Sequence, residues 1–199
     1  MLISFTHKFI FIANVKTASS AIEELLMRHA QIAIRQTKFG KHDTLSQISQ
    51  KFLWIRRYVP YSDFFVFGVV RDPVEWALSL YNSHTKPEFD GLPYSTKDVP
   101  FSRFLREGVN TRWQMRRQRQ FFMDEHERFR TSHVIDYANL ADELPILCER
   151  LGMACPGLRP VNVSPSALTP DRLDPADVEF IRDWYATDYE FMRDRPRVL

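Results

Sequence analysis

The residues best equipped for chemistry lie in Asn14-Val15-Lys16-Thr17-Ala18-Ser19-Ser20. An ammonium and three hydroxyls stand here between the apolar run Phe9-Ile10-Phe11-Ile12-Ala13 and a segment with Ile22, Leu25, Leu26 and His29 at helical spacing. The run is short, β-rich and aromatic, so it reads as a buried strand. The segment reads as an amphipathic helix with Glu23, Glu24 and Arg28 turned outward. The first N–H groups of a helix lack intrahelical partners, and its dipole favours negative charge at that end. Lys16 adds a point charge, while Thr17, Ser19 and Ser20 add hydroxyl donors. The stretch reads as a phosphate cradle. It is not a Walker-type loop, which needs glycines ahead of its lysine; the first glycine of this chain is Gly40. On these residues alone, Ser19 or Ser20 could equally be an ordinary N-cap and Lys16 a solvated surface residue.

A second junction of the same kind follows. Phe64-Phe65-Val66-Phe67-Gly68-Val69-Val70 is the strongest buried-strand signal, and it stops at Arg71-Asp72-Pro73. Asp72 can cap a helix and Pro73 suits its first position. Trp76, Ala77, Leu80 and Tyr81 then form an apolar stripe, with Ser79 and Ser83 on another face. Arg71 leaves the carboxyl end of a central strand, where open α/β sheets bind ligands. A guanidinium there can hold a phosphate bidentately. Ser79 lies about 10 Å along the helix, at roughly 1.5 Å per residue. It meets a phosphate on Arg71 only if the ligand lies beside this helix. The alternative is that Arg71 pairs with Asp72 or another nearby carboxylate.

The elements that must position these groups suit an α/β protein. With 199 residues and 44% hydrophobic content, the chain can bury a sizeable core as one domain over 1–199. Ile32-Ala33-Ile34 is a short apolar segment, and a helix is expected from about Thr44. Residues 84–112 read as a long excursion with a short helix near Phe101–Arg106. A strand is expected at His133–Asp136, followed by a helical stripe of Leu144, Leu147, Cys148 and Leu151 with Pro145 in its first turn. Asp174-Pro175 caps a last helix facing Val178, Ile181, Trp184 and Tyr185 inward. No apolar run reaches the length of a membrane span, and the N-terminus enters the first strand too directly for a signal peptide. Cys148 and Cys155 form no metal pattern and fit a reducing cytoplasm, Cys148 as a core residue. A net charge of +2 is too small to imply nucleic acid.

Taken together, the two junctions resemble those of the sulfotransferases that use 3′-phosphoadenosine 5′-phosphosulfate, and more closely their carbohydrate branch and its bacterial relatives. In that family a Pro-Lys-Thr-(Gly/Ala)-Ser-(Thr/Ser) loop holds the 5′-phosphosulfate; Lys16, Thr17, Ala18, Ser19 and Ser20 match it, with Val15 in place of the proline. The family's Arg-x-Pro and Ser-x-Tyr, which mark the 3′-phosphate site, match Arg71-Asp72-Pro73 and Ser79-Leu80-Tyr81. Weaker likenesses follow in Gln120-Phe121-Phe122, Tyr137-Ala138-Asn139-Leu140, Asn162-Val163-Ser164 and Trp184-Tyr185-Ala186-Thr187-Asp188-Tyr189. Ala138 stands where relatives often carry a glutamate. The resemblance implies a three-layer, P-loop-like α/β domain with a mostly parallel central sheet flanked by helices.

It also implies the chemistry. Sulfuryl transfer demands positioning and charge stabilisation more than covalent work. Lys16 would neutralise charge on the departing phosphate as the sulfonate moves to an acceptor hydroxyl, leaving 3′-phosphoadenosine 5′-phosphate. Thr17, Ala18, Ser19, Ser20, Arg71 and Ser79 would bind the donor, and no metal is called for. A base must take the acceptor's proton. His42 is best placed, on a polar loop after Ile32–Ile34, and related enzymes often carry a Lys-His there. Lys41 would lower its pKa and Asp43 would raise it. His84, at the end of the helix begun at Pro73, is the rival; His29 is read as satisfying the last carbonyls of its helix.

The acceptor is expected to be a carbohydrate met by the 84–112 excursion and the basic run Arg112-Trp113-Gln114-Met115-Arg116-Arg117-Gln118-Arg119. Alternatively, that run is a helix with solvated arginines. Two other function classes compete: a P-loop nucleotide kinase-like phosphotransferase, which the missing glycines disfavour, and a non-catalytic basic binding module. Roles for Gln120, Asn162 and Ser164 stay open.

Overall fold

The computed structural model describes residues 1–35, 41–159, 161 and 168–198, apart from the side chains at 56–58, 61 and 113. Gly40, Asn162, Val163 and Ser164 therefore lie outside the described residues. The centre of the sheet is parallel: β2 (Phe9–Ile12), β4 (Phe65–Val70) and β5 (His133–Asp136) run side by side in one direction. β1 (Leu2–Ser4) pairs antiparallel with β2, and β3 (Ile32–Ala33) antiparallel with β1. The order is β3-β1-β2-β4-β5. The hairpin strand β1 has no sequence signature because three residues are too few to alternate.

Burial on both sheet faces makes the layers. Ile10, Ile12, Val66, Val70 and Val134 share one cluster with Trp76 and Leu80 of α4 (Pro73–Ser83), Phe104 of α5 (Phe101–Thr111), Ile181 of α7 (Pro175–Trp184) and Phe191 of α8 (Ala186–Asp194). Phe9, Phe11, Phe67, Val69 and Ile135 share another with Ile22 and Leu26 of α1 (Ser19–Leu26) and Leu144, Leu147 and Cys148 of α6 (Leu140–Arg150). Parallel strands covered on both faces read as unbroken apolar runs for this reason. The expected helix from Thr44 is α2 (Leu45–Lys51), where Thr44 and Gln47 form a reciprocal capping box; α3 (Leu53–Tyr58) follows it. Among the described residues no helix is long and apolar enough to cross a membrane.

Several expectations need correction. Glu23 is not turned outward: it is fully buried, its carboxylate 2.6 Å from the Met1 amino group and 3.0 Å from Lys41 Nζ. Pro145 is not in the first turn of its helix. Leu140 joins the apolar stripe and starts α6 five residues earlier, so Pro145 is interior; it lies on the exposed side, where water can satisfy the carbonyl it leaves without a donor. The short helix near Phe101 runs to Thr111. The last helix is two, α7 and α8, meeting at buried Tyr185. His29 does not cap: its ring meets His7 edge to face at 4.9 Å.

Gly68 sits in central β4 because Phe122 lies against its backbone. A methyl group there would be 2.5 Å from Phe122 Cε1 and 3.0 Å from the Ile12 carbonyl oxygen. Gly68→Ala should therefore cost about 1–3 kcal/mol by overpacking, read as a lower denaturant midpoint at unchanged slope.

Candidate active site

Parallel register brings the two junctions together. Ile12 is level with Gly68, and Val70 with Asp136, so the chain leaves β2, β4 and β5 at one sheet edge. Asn14, fully buried, bridges the first two: its Nδ2 donates to the Val69 carbonyl and to Gln118 Oε1, both at 3.1 Å. Its Oδ1 accepts from the Val15 N–H at 2.7 Å. Gln118 Oε1 also accepts from the Arg71 N–H at 3.0 Å, while its Nε2 donates to the Arg71 carbonyl at 2.7 Å. Gln118 is held in turn by Asp188, whose carboxylate accepts the N–H groups of Gln118 and Arg119 at 2.8 and 3.0 Å.

The first loop turns sharply without glycine. Lys16 and Ala18 both sit at φ 57°, the left-handed region, which costs a residue with a Cβ about 1–2 kcal/mol. Two bonds hold it there. Thr17 Oγ1 donates to the Asn14 carbonyl at 3.1 Å, and Trp76 Nε1 donates to the Val15 carbonyl at 2.8 Å. Thr17 is thus fully buried as a staple of the loop, and its hydroxyl faces the protein. Ala18 is the N-cap of α1 and offers no capping side chain, so neither Ser19 nor Ser20 is an ordinary cap. The opening N–H groups of α1 face a cavity of about 720 Å³.

That cavity is lined by Lys16, Ala18, Ser19 and Ser20 from the first junction, Lys41 and His42 from the next loop, and Arg71 and Ser79 from the second junction. It runs along α4, as the Arg71–Ser79 spacing requires. Arg71, Glu75 and Ser79 follow one another at intervals of four residues on that face. Arg71 does pair with a carboxylate, but with Glu75, Nε to Oε2 at 3.2 Å. Asp72 is occupied as the cap of α4 through the Val74 and Glu75 N–H groups. The Arg71 guanidinium also lies 4.3 Å from the centroid of the Tyr137 ring, the residue after β5. Asn82 brackets Leu168, donating to its carbonyl at 2.8 Å and accepting its N–H at 3.1 Å, which fixes the cover near Thr169 and Pro170.

Cations predominate among the charged residues described in the cavity wall. Burial, then Lys86, Arg71 and Lys41, pushes the Lys16 ammonium down to about 8. Lys41 Nζ donates to Ser20 Oγ at 2.6 Å while paired with Glu23. His42 Nδ1 lies 2.6 Å from the Ala13 carbonyl; a carbonyl only accepts, so Nδ1 carries the hydrogen and Nε2 keeps its lone pair. Burial, aided by Lys41 and opposed by the Ala13 hydrogen bond, pushes His42 down to about 4. Asp43, expected to raise it, faces Lys51 instead at 2.7 Å. His84 is outside the cavity wall: its Nδ1 meets the Leu80 carbonyl at 2.9 Å and its ring lies beside Phe89 and Tyr94.

The basic run forms two short 3-10 turns, Trp113–Met115 and Gln118–Phe122, in place of one continuous helix, and its arginines pack on rings. Arg112, Arg116, Arg117 and Arg119 lie over Phe104, Phe121, Trp184 and Phe129 at 5.2–5.8 Å, and none lines the main cavity. Gln120 is exposed; the structurally central glutamine is Gln118. Gln118, Asn14, Tyr137 and Glu75 went unrecognised as site residues. Of these, only Glu75 left a readable signal, its spacing between Arg71 and Ser79.

The cavity opens at the carboxyl edge of an α/β sheet, the place where such folds hold small ligands. A family model described as the Sulfotransferase family matches residues 1–143, which carry the five strands found among the described residues and both junctions. The chain belongs to that family, and its activity class is transfer of a sulfo group from a donor to an acceptor. Comparison with curated proteins and with solved structures returned no match.

An anion beside Lys16 favours its protonated form, so binding raises a pKa that starts at about 8. Below pH 8 the lysine is already charged; above it, binding must take up a proton. The affinity for sulfate at constant ionic strength should fall by up to about tenfold per pH unit above pH 8. Lys16→Met should abolish that dependence in titration calorimetry.

Proposed function

We propose that this sulfotransferase uses 3′-phosphoadenosine 5′-phosphosulfate and delivers its sulfonate to a hydroxyl of a carbohydrate. The observation that carries the donor is that Lys16 and Arg71, from successive crossovers, line one cavity with Ser79 between turns of the same helix face. Four cations, Lys16, Lys41, Arg71 and Arg159, face Glu75 as the carboxylate among the described lining residues. A nucleotide phosphorylated at both ends suits that balance.

The roles follow from position. Lys16, the α1 N–H groups and the Ser19 and Ser20 hydroxyls take the 5′ end; Arg71 and Ser79 take the 3′-phosphate. Tyr137 and Leu140 offer an aromatic and an apolar wall for the base. During transfer the S–O bond to the 5′-phosphate breaks and one to the acceptor oxygen forms. Lys16 meets the charge left on the phosphate oxygen, and His42 Nε2 accepts the acceptor's proton. The carbohydrate acceptor rests on the resemblance of both junctions and of Lys41-His42 to the carbohydrate branch. The whole of 1–199 serves as one domain, since α7 and α8 complete the core on which α4 rests.

3′-Phosphoadenosine 5′-phosphate should raise the melting temperature by mass action, and AMP much less. Equal shifts would overturn the donor assignment. Arg71→Ala should weaken the bisphosphate by about 10–100-fold, as expected for losing hydrogen bonds to a charged group. Transfer of radiolabelled sulfonate onto a panel of glycans tests the acceptor.

His42→Ala should lower kcat strongly at nearly unchanged donor affinity. With a pKa of about 4, His42 is deprotonated throughout the neutral range, so the acid limb of kcat/KM should fall near pH 4. A limb near 6.5 would move the base elsewhere.

A further inference from the structure

Glu75 is out of character with its surroundings. It stands on the face of α4 between Arg71 and Ser79, in a wall otherwise charged by Lys16, Lys41, Arg71 and Arg159. Its side chain is 52% exposed, so no burial traps it there. The cap of α4 does not use its carboxylate either, since Asp72 supplies that oxygen and Glu75 contributes only a backbone N–H. What the carboxylate does touch is Arg71 Nε, at 3.2 Å.

Arg71 has contacts besides Glu75. Gln118 clamps its backbone N–H and carbonyl, and Tyr137 lies under the guanidinium plane at 4.3 Å. Its guanidinium therefore has a ready orientation without Glu75. The effect of the carboxylate on a second anion at Arg71 is repulsive: both compete for one guanidinium, and like charges at such range oppose each other. We propose that Glu75 is a specificity and release residue, a resident anion that occupies Arg71 in the empty site and weakens its hold on the 3′-phosphate so that the bisphosphate product leaves. This rests on the assignment of the 3′-phosphate to Arg71. In the empty enzyme Glu75 neutralises the guanidinium; in the product complex it lowers affinity at the 3′-phosphate.

The test is a gain of affinity, which misfolding does not imitate. Glu75→Gln keeps shape and removes charge. It should bind 3′-phosphoadenosine 5′-phosphate about tenfold more tightly, about 1.4 kcal/mol, with slower dissociation in stopped flow, while AMP affinity changes less than twofold. Glu75→Asp, which keeps the charge, should restore fast release. If wild type prefers the bisphosphate over AMP but Glu75→Gln binds it no tighter, or more weakly, the role of Glu75 falls and the donor assignment stands. If wild type binds the two nucleotides equally, both fall.

Discussion

A chain that leaves three parallel strands at one edge frees backbone N–H and carbonyl groups that nothing in the sheet can satisfy. Here two buried amides answer most of that demand. Asn14 takes the Val69 carbonyl and the Val15 N–H, and Gln118 takes both polar groups of Arg71. Because Asn14 also donates to Gln118, the loops after β2 and β4 are one hydrogen-bonded unit. The spacing of Lys16 from Arg71 is a property of that unit. Each of these bonds contributes about 1 kcal/mol made, but an orphaned partner costs about 1–3, so the cluster tolerates little rearrangement.

The same unit explains how the loop after β2 turns sharply without glycine. Glycine normally supplies the left-handed backbone at no steric cost. Lys16 and Ala18 adopt it nonetheless, and the loop is restrained from outside by Thr17, Asn14 and the indole of Trp76. Trp76 belongs to α4, whose start also carries Arg71. Restraint of the first loop and display of the second cation thus share one helix. Trp76 itself packs edge to face on Tyr185 at 5.6 Å, and Asp188 just beyond holds Gln118. The C-terminal helices lie outside the family match over residues 1–143, yet they support the site within it.

The two junctions were legible in the sequence because both have strong local causes. An apolar run ending in Lys-Thr-Ala-Ser-Ser, and another in Arg-Asp-Pro, each fix a strand end and a helix start through nearest neighbours alone. His133–Asp136 and the Thr44 cap were legible for the same reason. What escaped depends on distant partners. Glu23 looks like a surface residue of an amphipathic helix until Lys41 and Met1 arrive beside it. Gln118 is 104 residues from Asn14 and sits in a run of arginines that hides it. The ring contacts of the arginines are invisible locally because Phe104, Phe129 and Trp184 come from other elements. Pro145 shows the converse: a local rule placed it in the first turn, and the burial of Leu140 moved the start of the helix.

Electrostatics set the last constraint. Gathering Lys16, Lys41 and Arg71 around one cavity is unfavourable without a counter-charge: burial first, and then Lys86, Arg71 and Lys41, lower the pKa of Lys16. Two carboxylates moderate it from different sides. Glu23, fully buried behind α1, neutralises Lys41 without facing the ligand, so it stabilises the cluster whether or not an anion is bound. Glu75 stands inside the cavity wall and opposes any anion that arrives. The two placements have different consequences for turnover. In the proposed reaction, a counter-charge behind the site preserves attraction at the donor's 5′ end, where charge must be stabilised during transfer. On the same proposal, a counter-charge within it limits binding at the remote end, where tight uniform binding would slow release without raising the rate of the chemical step.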